Sequence, residues 1–217
     1  MAKPIIHFYH IYADGSGNWQ PIVQQHFLAL FNFGLYDQLT EIRVGVVGEK
    51  TEHVFKYLEQ FDKVKIIADE KHGYEQITLN KLVLHARDND CLYYYAHTKG
   101  ASDPSLINQV WCRSMEFFTC VNWQQMVNAL ESFDTAGCHF LTTEKYPFIQ
   151  DANNPKGYSY YAGNYWWATS DYIKKQPRVG NETRWSAEHW IGKGNPNAFD
   201  VNPTFPNLNP LTLQMTW

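Results

Sequence analysis

Across its first hundred residues the chain alternates short, mostly apolar runs with stretches whose apolar residues recur at helical spacing. The runs are PIIHFYHIY (Pro4 to Tyr12), IRVGVV (Ile42 to Val47), VKIIA (Val64 to Ala68) and CLYYYA (Cys91 to Ala96). Strands this apolar are covered on both faces, as in a parallel sheet between helices. The intervening segments supply those helices. From Trp19 to Phe33 one stripe collects positions 19, 22, 23, 26, 27, 30 and 31. Thr51 to Phe61 aligns Val54, Leu58 and Phe61, and Tyr74 to Arg87 aligns Leu79, Leu82, Val83 and Ala86. Repeated strand–helix units predict a single α/β domain with a mainly parallel central sheet flanked by helices. Ligands of such sheets bind beyond the carboxyl ends of the strands. The loops after Tyr12, Ala68, Ala96 and Thr142 are therefore where a site is expected.

The second half is less regular. Helices are predicted from Ser105 to about Phe118 and from Trp123 to Ser132, with a strand from Thr135 to Thr142. Tyr158 to Ala168 reads as a bent strand, or two strands, kinked at glycine. The stretch from Gly194 to Pro210 holds four prolines and five asparagines, which suits an irregular tail wrapping the domain or leading to a further one. The expected division is residues 1–193 as the binding domain and 194–217 as the tail.

A length of 217 residues suits one domain with a core of its own. The net charge of −4 and the lack of any Lys/Arg-rich block exclude a nucleic-acid footprint or a basic membrane patch. Cys91, Cys112, Cys120 and Cys138 match no zinc spacing and sit in apolar segments, so they read as buried free thiols of a reducing compartment. MAKPIIHFYH has no signal-peptide core, and no apolar run approaches about 18 residues, so the expectation is a cytoplasmic protein without a transmembrane segment. Aromatic residues make up 16% of the chain, enough for a heavy core or for flat surfaces on which sugars and bases stack.

The segment CLYYYAHTKGASD carries the most chemistry. An apolar strand delivers His97, Thr98 and Lys99 to the carboxyl edge, and Gly100 lets the backbone turn closely past a ligand. Histidine can ligate a metal or donate to phosphate, and lysine neutralises phosphate as a point charge. Both can also be plain solvated loop residues. Asp88-Asn89-Asp90 lies before this strand, at the wrong end for such a site, and reads as a solvated turn. Asp69-Glu70 follows the third strand on the correct edge and can contact ribose or metal, or simply water. On the fourth helix Thr78, Lys81 and His85 share a stripe, and Thr78 and Lys81 lie nearest the ligand edge. Trp111 and Arg113 can border a sugar pocket, although a tryptophan there equally suits the core.

The strand end His-Thr-Lys-Gly, together with YAGNYWWATSDYI and SAEHW further on, resembles nucleotide-sugar glycosyltransferases of the GT-A fold. The aromatic strand ending in His-Thr-Lys-Gly looks like that of a subgroup found in bacteria, phages and large algal viruses such as chloroviruses. The family ends the same strand in Asp-x-Asp, where this chain has Tyr95-Ala96-His97. The resemblance implies a UDP-sugar of the UDP-glucose or UDP-rhamnose type as donor and a glycan hydroxyl as acceptor. It also implies Mn²⁺ or Mg²⁺ at the diphosphate, and a viral host's cytoplasm as the setting if the chain is viral. By that resemblance His10, Ile11 and Tyr12 hold the nucleoside, with Thr78 and Lys81 reaching ribose or phosphate. His97 takes the metal or diphosphate role beside Lys99 and Gly100. The strand around Asn164, Trp166 and Trp167 meets the acceptor, and Glu188 is the general base. From the residues alone, Glu188 also suits a first-turn acid stabilising a helix.

Two rivals stand beside this reading. The aromatic AGNYWW strand and the missing acidic motif suit a non-catalytic carbohydrate-binding module. A similar sheet also suits another sugar-nucleotide enzyme, a hydrolase or nucleotidyltransferase. Phosphate-loop, Gly-x-Gly-x-x-Gly, His-Glu-x-x-His and Gly-x-Ser-x-Gly motifs are all absent from the sequence.

Overall fold

In the computed structural model, which describes residues 3–144, 159–180 and 185–202, the alternating pattern folds as expected. The first half runs β1 (Ile5–Ala13), α1 (Trp19–Asn32), α2 (Leu35–Gln38), β2 (Leu39–Gly48), α3 (Thr51–Leu58), β3 (Val64–Glu70), α4 (Gln76–Asp88) and β4 (Leu92–His97). The second half adds α5 (Leu106–Glu116), a π-turn (Phe117–Val121), α6 (Trp123–Ala129), β5 (Thr135–Gly137), β6 (Phe140–Thr142) and β7 (Ser159–Tyr161). It closes with β8 (Trp166–Thr169), α7 (Ser170–Ile173), α8 (Trp185–Glu188), a 3-10 turn (Trp190–Gly192) and β9 (Ala198–Asp200). Seven strands form the central sheet in the order β3-β2-β1-β4-β8-β5-β9. Only β8 runs against its neighbours; every other pairing in that sheet is parallel. The fold is thus a mixed α/β domain with a mainly parallel sheet.

Helices cover both faces of the inner strands, so β1, β2 and β4 are buried almost throughout, while the edge strand β3 stays partly exposed. Tyr9, Ile11, Tyr94 and Ala96 pack under α1, α3, α5 and α6. Phe8, Tyr93 and Tyr95 pack under α4, α7 and α8. Register sets the pairing of the aromatic strands: Tyr94 lies opposite Trp167, and Tyr95 opposite Trp166. Both pairs stack with ring centroids 4.9 Å apart. Stacks of this kind add about 0.5–1.5 kcal/mol beyond area burial. They also fix β8 against β4 at the middle of the sheet.

Several boundaries differ from the sequence pattern for local reasons. The single strand expected over Thr135–Thr142 is broken at His139, whose φ of 60° turns the chain between β5 and β6. Of the two readings of Tyr158–Ala168, a bent strand or two strands, the second holds, with the strands in different sheets: β7 pairs with β6 and β8 with β4. Gly163 and Asn164, with φ of 89° and 60°, make the turn between them. The Pro/Asn-rich tail contributes β9, an edge strand parallel to β5. Residues 203–217 of that tail lie outside the described residues.

Inside the α1-side layer three polar side chains form a file. His7 Nδ1–H donates to the Tyr94 carbonyl at 3.1 Å, and His7 Nε2 lies 2.9 Å from His26 Nε2. His26 Nδ1 lies 3.0 Å from the Glu116 carboxylate. Burial, then the neighbouring His26, lowers the His7 pKa well below its ordinary value, with the bond to Tyr94 opposing them. His7 therefore stays neutral, and its Nε2 accepts from His26. All four cysteines are buried and unpaired, as expected. Among the described residues, no helix is long and apolar enough to cross a membrane.

Candidate functional site at the carboxyl edge of the sheet

The parallel strands β1, β2, β3 and β4 all end at one edge, and a cleft of about 1080 Å³ opens there. Three of the expected loops supply walls, through Tyr12 and Asp14 at the end of β1, residues 71–75 after β3, and residues 97–100, 102 and 103 at the end of β4; Gly48 and Glu49 at the end of β2, which the sequence did not single out, add to them. Glu188 of α8 closes it from the far side. A cleft of this size accommodates a drug-sized ligand.

At its floor lies a closed hydrogen-bond network. His10 and His97 are register partners on β1 and β4. His97 Nδ1 lies 2.5 Å from Glu75 Oε1, and its Nε2–H donates to the Gly163 carbonyl oxygen at 3.0 Å. Asn164 Nδ2–H donates to the other Glu75 oxygen at 3.2 Å, and Trp166 Nε1–H donates to Asn164 Oδ1 at 2.7 Å. Burial pushes the Glu75 carboxyl up. The charge and hydrogen bond of His97 outweigh it, helped by His10 and Asn164, and leave the pKa at about 2. Tyr165, from the opposite face, donates its hydroxyl to the His97 carbonyl at 2.6 Å.

His10 Nδ1 lies 2.8 Å from the Thr78 hydroxyl. That hydroxyl reaches the strand because residue 45 is glycine: a Cβ there would stand 2.1 Å from Thr78 Oγ1. Burial lowers the His10 pKa to about 4, with Glu75 opposing the shift and His97 adding to it. The unfolded chain therefore takes up a proton between about pH 6.5 and 4 that the folded one refuses, so stability falls as pH drops through that window. Glu75 acts in the same direction between its usual 4.5 and about 2. Melting temperature is expected to fall by roughly 5–10 °C from pH 6.5 to 4, and by less in His10→Gln. A His10→Gln variant as acid-sensitive as the parent removes this origin.

The expected site residues are placed unevenly. His10, Tyr12, His97, Lys99, Gly100 and Glu188 line the cleft. Glu188 is 6% exposed. The Tyr12 backbone N–H is already taken by the Thr98 hydroxyl at 2.8 Å, so it does not read a base edge. Ile11 points into the core and Thr78 is buried against His10, while Lys81 is exposed on α4 outside the cleft lining. Asn164, Trp166 and Trp167 are fully buried, so they form no aromatic platform for an acceptor sugar. That removes one of the two sequence grounds for a carbohydrate-binding module, the other being the missing acidic motif. Asp88-Asn89-Asp90 sits at the opposite end of the sheet, where Asp90 binds Lys3 and Ser170. Asp69 and Glu70 do not line the cleft; the carboxylate that enters from their loop is Glu75. The sequence reading missed Glu75, whose only signal is an acid just before a helix on a ligand-edge loop.

A divalent ion at His97 needs a ring nitrogen with a lone pair turned to the cleft. Both nitrogens face acceptors instead, so the ring does not fit a metal. Among the described residues no three His, Cys, Asp or Glu side chains converge to hold an ion. Lys99 is differently placed: its ammonium lies 4.7 Å from the centroid of the Trp111 ring, on the cleft wall.

No protein-family model and no curated protein matches the sequence. Solved structures do resemble the chain. A 4-diphosphocytidyl-2C-methyl-D-erythritol synthase from Anaerococcus prevotii aligns over 94% of this chain and 88% of its own, at 11% identity and TM-score 0.49. A candidate nucleotide-diphospho-sugar transferase from Desulfovibrio desulfuricans aligns over 93% and 80%, at 12% and 0.46. Rv0371C from Mycobacterium tuberculosis, in complex with manganese, aligns over 93% and 89%, at 9% and 0.44. At these values the likeness carries no chemistry to this chain.

Proposed function

We propose that the protein transfers a hexosyl group from a UDP-sugar to a hydroxyl of a glycan acceptor. The observation that carries this reading is the meeting of a buried carboxylate, Glu188, and a braced ammonium, Lys99, on the walls of one cleft at the carboxyl edge of a parallel sheet. Glycosyl transfer needs a base and a diphosphate cation at about the span of one sugar. Glu188 takes the proton of the acceptor hydroxyl as its oxygen attacks the anomeric carbon. The bond from that carbon to the diphosphate breaks, UDP carries away the electron pair, and Lys99 offsets the charge it gains. The cleft side of β4 and the loop after β1 supply the donor's walls.

The test is turnover of UDP-glucose and UDP-rhamnose with a panel of glycan acceptors, reading both UDP release and sugar incorporation. Incorporation at least about tenfold faster than donor hydrolysis alone is the expected result. Donor that is consumed no faster with any acceptor points to a hydrolase. Pyrophosphate made from a nucleoside triphosphate and a sugar phosphate replaces the reading with nucleotidyl transfer.

A further inference from the structure

We propose that the cleft holds its diphosphate without a divalent cation, on the Lys99 ammonium braced against Trp111. The inference rests on the nucleotide-sugar reading above for the identity of the ligand, but the seat itself rests on geometry. A GT-A resemblance calls for an ion at the end of β4, and the side chain there cannot take one. His97 spends both ring nitrogens on Glu75 and the Gly163 carbonyl. Releasing either nitrogen for a metal would leave a buried carboxylate oxygen or a buried carbonyl without its donor. The network is closed at its other end too, because Asn164 and Trp166 complete it.

The charge that an ion would have supplied has a replacement two residues on. Lys99 lines the cleft, and its ammonium sits over Trp111 rather than trailing into solvent. The Trp111 ring packs partly buried against the core and close over Gly163, where a Cβ would stand 3.1 Å from its Nε1 and 2.2 Å from Met115 Sδ. An ammonium resting on a packed ring loses less rotamer freedom on binding than one trailing in solvent. Lys71, on the loop after β3, adds a second cation to the lining.

Asp14, Glu49, Glu75, Asp103 and Glu188 share the walls with these cations, and three of them are engaged by neighbours. Glu75 is paired with His97. Asp14 is tied to the backbone and hydroxyl of Ser16, and Asp103 to Ser105 and Asn108, within their own loops. Glu188, ionised as the base of the proposed reaction, and Glu49 also carry charge on the walls beside Lys71 and Lys99.

The experiment is calorimetric titration of the full chain, stripped of metal and dialysed into EDTA, with UDP and, separately, with inorganic pyrophosphate. The UDP titration is repeated in Mn²⁺. UDP affinities in EDTA and Mn²⁺ are expected to agree within about threefold, and Lys99→Ala to weaken both UDP and pyrophosphate by at least about tenfold. Uridine binding is expected to be indifferent to Lys99→Ala. Trp111→Leu is expected to weaken UDP while Trp111→Phe, which keeps a ring face, restores most of it; melting curves show whether either variant has lost its fold. UDP that binds only with Mn²⁺ overturns the inference and leaves the glycosyltransferase reading in place. Pyrophosphate that binds through Lys99 while UDP does not keeps the anion seat and removes the nucleotide reading. Affinities unmoved by Lys99→Ala overturn the seat outright.

Discussion

Glu188→Gln is expected to lower transfer by about a thousandfold while leaving UDP affinity within about twofold of the parent. The side chain is 6% exposed and faces the cleft from α8, so a glutamine of the same shape keeps its packing and its capacity to accept a hydrogen bond. What it loses is the ability to carry a proton away from an acceptor hydroxyl. A carboxylate that merely stabilises a short helix would move the melting temperature and leave the rate alone. The two roles are thus separated by measuring kcat, UDP binding and melting on one preparation. Full transfer by the glutamine variant would remove Glu188 from the mechanism.

Glu75 carries the largest expected effect on stability. Its carboxylate accepts from His97 on one oxygen and from Asn164 on the other, and the two side chains of the ion pair are only 11% and 14% exposed. Removing one partner of a buried pair leaves the other's polar atoms without a counterpart, which costs about 3–5 kcal/mol. Glu75→Ala and His97→Ala are each expected to destabilise on that scale in urea titrations. The double variant is expected to cost less than the sum by more than about 1 kcal/mol, because the second loss removes the orphan left by the first. Additive losses would mean that the pair contributes nothing beyond its separate packing.

The first half of the architecture was legible because its signals are local. Short apolar strands such as Ile42–Val47 separated by helical stripes admit few arrangements; the observed β2 extends the expected span by a few residues, and α4 falls within two residues of its expected ends. The carboxyl-edge loops were legible for the same reason. The chemistry on them was not, because pairing across the sheet is a long-range fact. Nothing in His-Thr-Lys-Gly says that the histidine is already spent on a glutamate 22 residues earlier and on a carbonyl 66 residues later. Nor does AGNYWW reveal that its rings face inward. That follows from β8 lying between β4 and β5, where both of its faces are covered. Lys81 shows the converse error: a helical stripe places it near the ligand edge, but α4 turns it to solvent.

The file from His7 through His26 to Glu116 has a consequence for observing this molecule in solution. Both imidazoles are 0% exposed and the carboxylate is 4% exposed, with β1, α1, β4 and α5 closing over them. Ring protons there exchange with bulk water only when that layer opens. In a native-state deuterium experiment they should belong to the last sites to label, at a rate set by opening of the whole layer. Two imidazole resonances would then read the free energy of global opening under conditions where the fold is fully populated and the cleft is still working.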